Sequence, residues 1–115
     1  MFPTSTSYTG LTTVDSVTLT TGTSVLVLFS VNTNGSGVLD TSVAVAVSGA
    51  TTIAAADGVS NAKAITAATA NAKYHVGRGV VLTVTAGSNT FTLKYKVSGG
   101  TGTFSGRVLA VIRLN

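Results

Sequence analysis

Residues 89–98 read NTFTLKYKVS. Phe91, Leu93, Tyr95 and Val97 alternate with Thr92, Lys94 and Lys96, the period-two pattern of a strand with one buried and one wetted face. Outward from it, short apolar runs recur between clusters of turn residues. They predict strands over 12–20, 24–33, 41–48, 50–55, 62–70, 78–86, 89–98 and 103–114. The breaks fall at Thr21-Gly22, Asn32 to Gly37, Gly49, Asp57-Gly58, His75 to Gly77, Ala86 to Ser88 and Ser98 to Gly102. Residues 61–74 (NAKAITAATANAKY) are Ala-rich and fit a strand or a short helix; strand is preferred because nothing there caps a helix well. Eight strands about twelve residues apart predict an all-β, single-domain, eight-stranded jelly-roll sandwich.

Composition leads to the same class. The chain has 115 residues, enough for one domain, and only 9% are charged against a usual figure of about 25%. It has 21 Thr, 12 Ser and no Glu or Gln, so the residues that suit exposed helical faces are scarce. A hydrophobic fraction of 44% in periodic runs argues against disorder. The net charge of +4 comes from basic residues spread singly along the second half, not from a stripe beside stacking aromatics. No nucleic-acid partner is therefore expected. No apolar run approaches the ~18 residues that span a bilayer, and Met1 to Gly10 has neither the basic nor the apolar region of a signal peptide. No membrane association is expected, and the initiating Met reads as the start of a small complete gene product. Residues 1–10 (MFPTSTSYTG) read as an extended N-terminal arm, with Phe2 and Tyr8 as anchors on the domain or on a partner, ahead of a β-sandwich over 11–115.

Two strands are apolar on both faces. In 24–33, Val25, Val27, Phe29 and Val31 form one face while Leu26 and Leu28 crowd the other. In 103–114, Val108, Ala110, Ile112 and Leu114 lie on one side, and Leu109 and Val111 on the other. A two-layer sandwich has one internal face per sheet, so the second apolar face needs a cover. In so small a domain another subunit is the expected cover, with loops or the arm as the alternative.

Catalytic chemistry has little to work with. The chain has no cysteine and a single His, His75, beside a Gly77-Arg78-Gly79 segment that reads as a turn. A metal site needs three or four ligands, whereas the only carboxylates are Asp15, Asp40 and Asp57, each beside turn residues or at a strand edge. Gly77-Arg78-Gly79 and Gly100-Thr101-Gly102 do not complete a phosphate-binding loop and lead into no helix, so they read as hairpin turns. Asn34-Gly35-Ser36 matches a glycosylation sequon but reads as a tight turn. The expectation is a protein that is not an enzyme and holds no cofactor or metal.

Ser88 to Leu114 (SNTFTLKYKVSGGTGTFSGRVLAVIRL) resembles the closing strand pair of small jelly-roll domains in tailed-phage virion proteins. These share a T-F-x-x-K/R-Y core, a Gly-rich turn, F-S and a hydrophobic last strand in a long hairpin. Val43 to Asp57 (VAVAVSGATTIAAAD) resembles their mid-domain strands, and together the match covers a little over a third of the chain. The resemblance implies a fold similar to the tumour-necrosis-factor/C1q jelly roll and a homotrimer whose last strand faces the threefold axis. Candidate interface residues are Leu26, Leu28, Leu109, Val111 and Arg113.

It further implies a bacteriophage structural protein of the virion. The leading role is a capsid decoration (cement) protein made in the bacterial cytoplasm and seated on the capsid surface, because a fibre knob would follow a shaft. Phe2, Pro3 and Tyr8 of the arm are the candidate contacts to the major capsid protein. The alternative is a tail-fibre or tail-associated receptor- or carbohydrate-binding module, with Tyr74 near His75 and Arg78, plus the loop at 32–37, as its patch. A bacterial adhesin or surface-layer module lacks the export signal expected of it.

Overall fold

The computed structural model describes residues 8–11, 14–35, 39–56, 66–67 and 73–115. These residues form β1 (Ser16–Thr21), β2 (Ser24–Gly35), β3 (Leu39–Gly49), β4 (Thr66–Ala67), β5 (Lys73–Thr83), β6 (Gly87–Val97) and β7 (Gly102–Arg113), with no helix among them. Val- and Thr-rich sequence suits such pleated, half-buried surfaces. One antiparallel sheet has the order β1-β6-β3, with the two-residue β4 at the free side of β3. The other has the order β5-β2-β7. The all-β sandwich is therefore present.

The expected count of eight strands is not: among the described residues six long strands and one short one are found. Residues 50–55 contribute only an isolated bridge, Val47 to Ile53. Of 61–74, Thr66–Ala67 and the start of β5 are strand, and 61–65 and 68–72 lie outside the described residues.

The inner faces meet as the alternation requires. Val25, Val27 and Val31 of β2, Val43 and Val45 of β3, Phe91, Leu93, Tyr95 and Val97 of β6, and Phe104 of β7 are all essentially inaccessible. Burying each such aliphatic or aromatic side chain contributes about 1.5–3 kcal/mol, and this layer is what holds the two sheets together. Polar groups inside it are paired. The hydroxyls of Thr33 and Thr41 meet across the sheets at 2.7 Å. The buried Asn89 amide donates to the Thr21 hydroxyl (2.8 Å) and the Thr85 carbonyl (2.9 Å), and accepts from the Thr51 N–H (2.9 Å). Three crossings between sheets are tied together there, which spares the amide the desolvation cost of an unpaired group.

Connectivity departs from the hairpins read in the sequence. Consecutive long strands always lie in opposite sheets. Residues 88–114 are therefore not a hairpin: Ser98 to Thr101 carries the chain from β6 over to β7 in the other sheet. Gly77-Arg78-Gly79 is no turn either, but the middle of β5, with Gly77 opposite Ser30 and Gly79 opposite Leu28. A Cβ on Gly79 would lie 2.8 Å from Leu28 Cδ2, so Leu28 occupies the space that the missing side chain leaves.

The arm also divides differently. Thr9 pairs with Tyr95 through two backbone hydrogen bonds, extending the edge beyond β1, and Leu11 is buried in the core. Tyr8 is anchored on this domain, with Lys96 Nζ 4.6 Å from its ring centroid. Phe2 and Pro3 lie outside the described residues, as do Asp57 and Gly58.

Candidate functional site

The two outer faces differ sharply. On the β1-β6-β3 sheet the side chains turned away from the core are Ser16, Thr18 and Thr20, then Thr90, Thr92, Lys94 and Lys96, then Ser42, Ala44, Ala46 and Ser48, of which Ser42 and Ala44 are nonetheless buried. Thr18 and Thr90 join hydroxyls at 2.7 Å. Tyr95 faces inward between the two lysines, so it is not placed to stack on a base.

On the β5-β2-β7 sheet, Val81, Leu26 and Ile112 lie in one row, Gly79, Leu28 and Ala110 in the next, and Gly77, Ser30 and Val108 in the third. Val81 is 61% exposed, Val108 56%, Leu114 50%, Ile112 47% and Leu28 38%. Among the described residues only one other large hydrophobic, Val14, is comparably exposed, so this face concentrates five of six. Such a patch is uncommon on an isolated soluble domain.

The structure divides the five candidate interface residues. Leu26 and Leu28 lie on this outer face. Leu109 and Val111 face inward and pack against the core, and Arg113, on the same side, donates from Nη1 to the Thr20 carbonyl across the sandwich (3.2 Å). The partners of Leu26 and Leu28 on β7 are instead Val108, Ala110 and Ile112. The cause is a bulge. Ser30 pairs with Val108 but Asn32 pairs with Ser105, so β7 carries one extra residue there, with Gly106 in the left-handed region at φ 56°. The bulge reverses the alternation: Phe104 faces inward before it, Leu109 and Val111 after it.

That reversal also turns Arg107 inward. Its Nε donates to Asp15 Oδ2 at 3.2 Å, the same oxygen that accepts from the Tyr95 hydroxyl at 2.8 Å. The Arg107 guanidinium lies 5.9 Å from the Tyr95 ring, which tilts against Phe104 at 4.8 Å. Burial, then the bond to the Asp15 carboxylate, push the Tyr95 phenol well above its usual value, so it stays a neutral donor. Asp15 and Arg107 satisfy each other at one rim of the core. The arrangement engages the carboxylate with both partners.

Beyond the bulge the outer face becomes polar. Asn32, Thr33, Asn34, Tyr74, His75, Thr103 and Ser105 line a cleft of about 680 Å³. The register brings Asn32 beside His75 and Ser105, and Asn34 beside Thr103. His75 and part of the 32–37 segment are thus together on the outer face, while Tyr74, opposite the inward Thr33, shares its side of β5 with Val76, Arg78 and Val80, and Arg78 lines a separate shallow groove with Leu28 and Val108. Thr103 and Ser105 carried no signal of their own in the sequence. No group of three or more His, Cys, Asp or Glu side chains converges among the described residues. No family model, curated protein or solved structure matches this chain.

Proposed function

We propose that this chain is a non-catalytic structural protein of a phage virion, a capsid decoration protein that trimerises and stabilises the shell by bridging capsomers. One observation carries the assembly half of the reading: the aliphatic outer face of the β5-β2-β7 sheet, five of whose large side chains stand in water in the single chain. Covering it with a copy of itself removes that apolar area from water at about 25 cal/mol per Å². The capsid half rests on the sequence resemblance. The assignment to the jelly-roll class rests on connectivity, since long strands alternate between sheets and β6 lies between β1 and β3.

Mixing the purified chain with empty tailed-phage capsids stripped of their decoration tests the role. Saturable, stoichiometric binding that raises the temperature of capsid disruption is expected. Absence of binding, together with adsorption to host cells, would move the protein to the tail. Deleting residues 1–10 is expected to lower capsid occupancy; full occupancy without them would remove the arm from the interface.

A further inference from the structure

We propose that the polar cleft beside the bulge of the β5-β2-β7 outer face is a binding site for a neutral saccharide. This goes beyond the assembly role and depends on different residues, because the bulge at Gly106 separates the cleft from the aliphatic rows. A cleft of about 680 Å³ falls within the roughly 300–1,000 Å³ of small-ligand sites.

On the outer face its described lining presents the Asn32 and Asn34 amides, the Thr103 and Ser105 hydroxyls and the His75 imidazole, with neither a carboxylate nor a fixed cation; the Thr33 hydroxyl is turned inward to Thr41. Asn32 Oδ1 can only accept, so the 2.7 Å contact makes His75 Nδ1 its donor. The other ring nitrogen, Nε2, takes no part in that bond. The same bond fixes the Asn32 amide, whose Nδ2 remains to donate. Gly106 keeps that position open: a Cβ there would lie 2.8 Å from Asn32 Nδ2.

Neighbouring strands set these groups about 4.8 Å apart, in a row of donors and acceptors running from His75 through Asn32 to Ser105. Vicinal ring hydroxyls both donate and accept, and so can satisfy mixed donors and acceptors at such spacing. A purely apolar ligand would leave the amides unpaired at a cost of about 1–3 kcal/mol each.

The test uses the full chain and a printed panel of neutral oligosaccharides (glucans, galactans, mannans and N-acetylglucosamine oligomers) beside sialylated and sulfated ones. Hits are titrated while backbone amide resonances are followed. Saturable binding of at least one neutral oligosaccharide is expected, with shifts at Asn32, His75, Thr103 and Ser105. The surface substitutions Thr103→Val with Ser105→Val, and separately Asn32→Ala, are expected to weaken it at least tenfold without changing the melting temperature by more than a few degrees. Gly106→Ala should act in the same direction. Three results would overturn the proposal: no neutral oligosaccharide bound at millimolar concentration, binding confined to the anionic set, or binding that leaves the cleft resonances and the Thr103/Ser105 variant unaffected.

Discussion

The two outer faces of the sandwich are built from strands of similar composition yet differ in chemical character. The face of β1-β6-β3 is a lattice of hydroxyls, small side chains and two lysines. The aliphatic part of the β5-β2-β7 face repeats the character of the interior, with Leu26, Leu28, Val81, Val108 and Ile112 in rows. Inner faces are apolar in both sheets because the fold requires it. An outer face need not be, so the aliphatic rows mark where something beyond the single fold is needed. On the assembly proposed above, folding and self-association would use opposite sides of the same strands.

The largest effect should come from an inner face. Phe91→Ala empties a fully buried position on the central strand β6 and is expected to cost about 3–5 kcal/mol in urea unfolding. Assembly should fail only together with the fold. The outer-face counterpart, Leu28→Asp with Ile112→Asp, should leave a folded monomer. Its self-association should weaken at least a hundredfold, about 2.8 kcal/mol, in sedimentation equilibrium. The matched pair on the other sheet, Thr18→Asp with Thr92→Asp, should leave the mass unchanged; equal losses from both pairs would erase the distinction between the faces.

Tyr95→Phe probes the rim of the core. Losing a hydrogen bond to the Asp15 carboxylate is expected to cost about 1.5–3 kcal/mol at neutral pH. The sign of the pH dependence follows from the raised phenol. Above about pH 10 the unfolded chain loses this proton while the folded chain keeps it, so stability falls as pH rises. The Phe variant should lose that part of the alkaline decline, measured as melting temperature between pH 9 and 11. The smallest effect belongs to the polar face: Thr18→Val removes an exposed hydroxyl pair and should change stability by no more than about 0.5 kcal/mol.

What the sequence discloses follows from how local each signal is. The inward and outward residues of β6 are those its alternation predicts, and so are those of β2, because both strands run without irregularity through the compared stretch. In β7 the same reasoning assigns Leu109 and Val111 to the wrong side for an interface. A single residue in the left-handed region reverses the period, and nothing in GTGTFSGRVLAVIRL marks Gly106 apart from the other glycines. Gly77 and Gly79 read as a turn because glycine is the usual turn residue, whereas here they lie mid-strand, where the missing side chain of Gly79 admits Leu28 and Gly77 sits close to the Phe29 carbonyl. The Asp15–Tyr95–Arg107 contacts join residues 80 apart in the chain for the tyrosine–aspartate pair, with no local pattern to announce them. The cleft was half legible: Tyr74, His75 and the 32–37 segment stood out by residue type, while Thr103 and Ser105 join them only through strand pairing.

Self-association through the aliphatic rows is most directly tested by the solution mass of the unmodified chain at tens of micromolar. A mass three times the 11.4 kDa of one chain is expected, with Leu28 and Ile112 protected from solvent in the assembled form. A monomer at that concentration with both side chains still in water would contradict it.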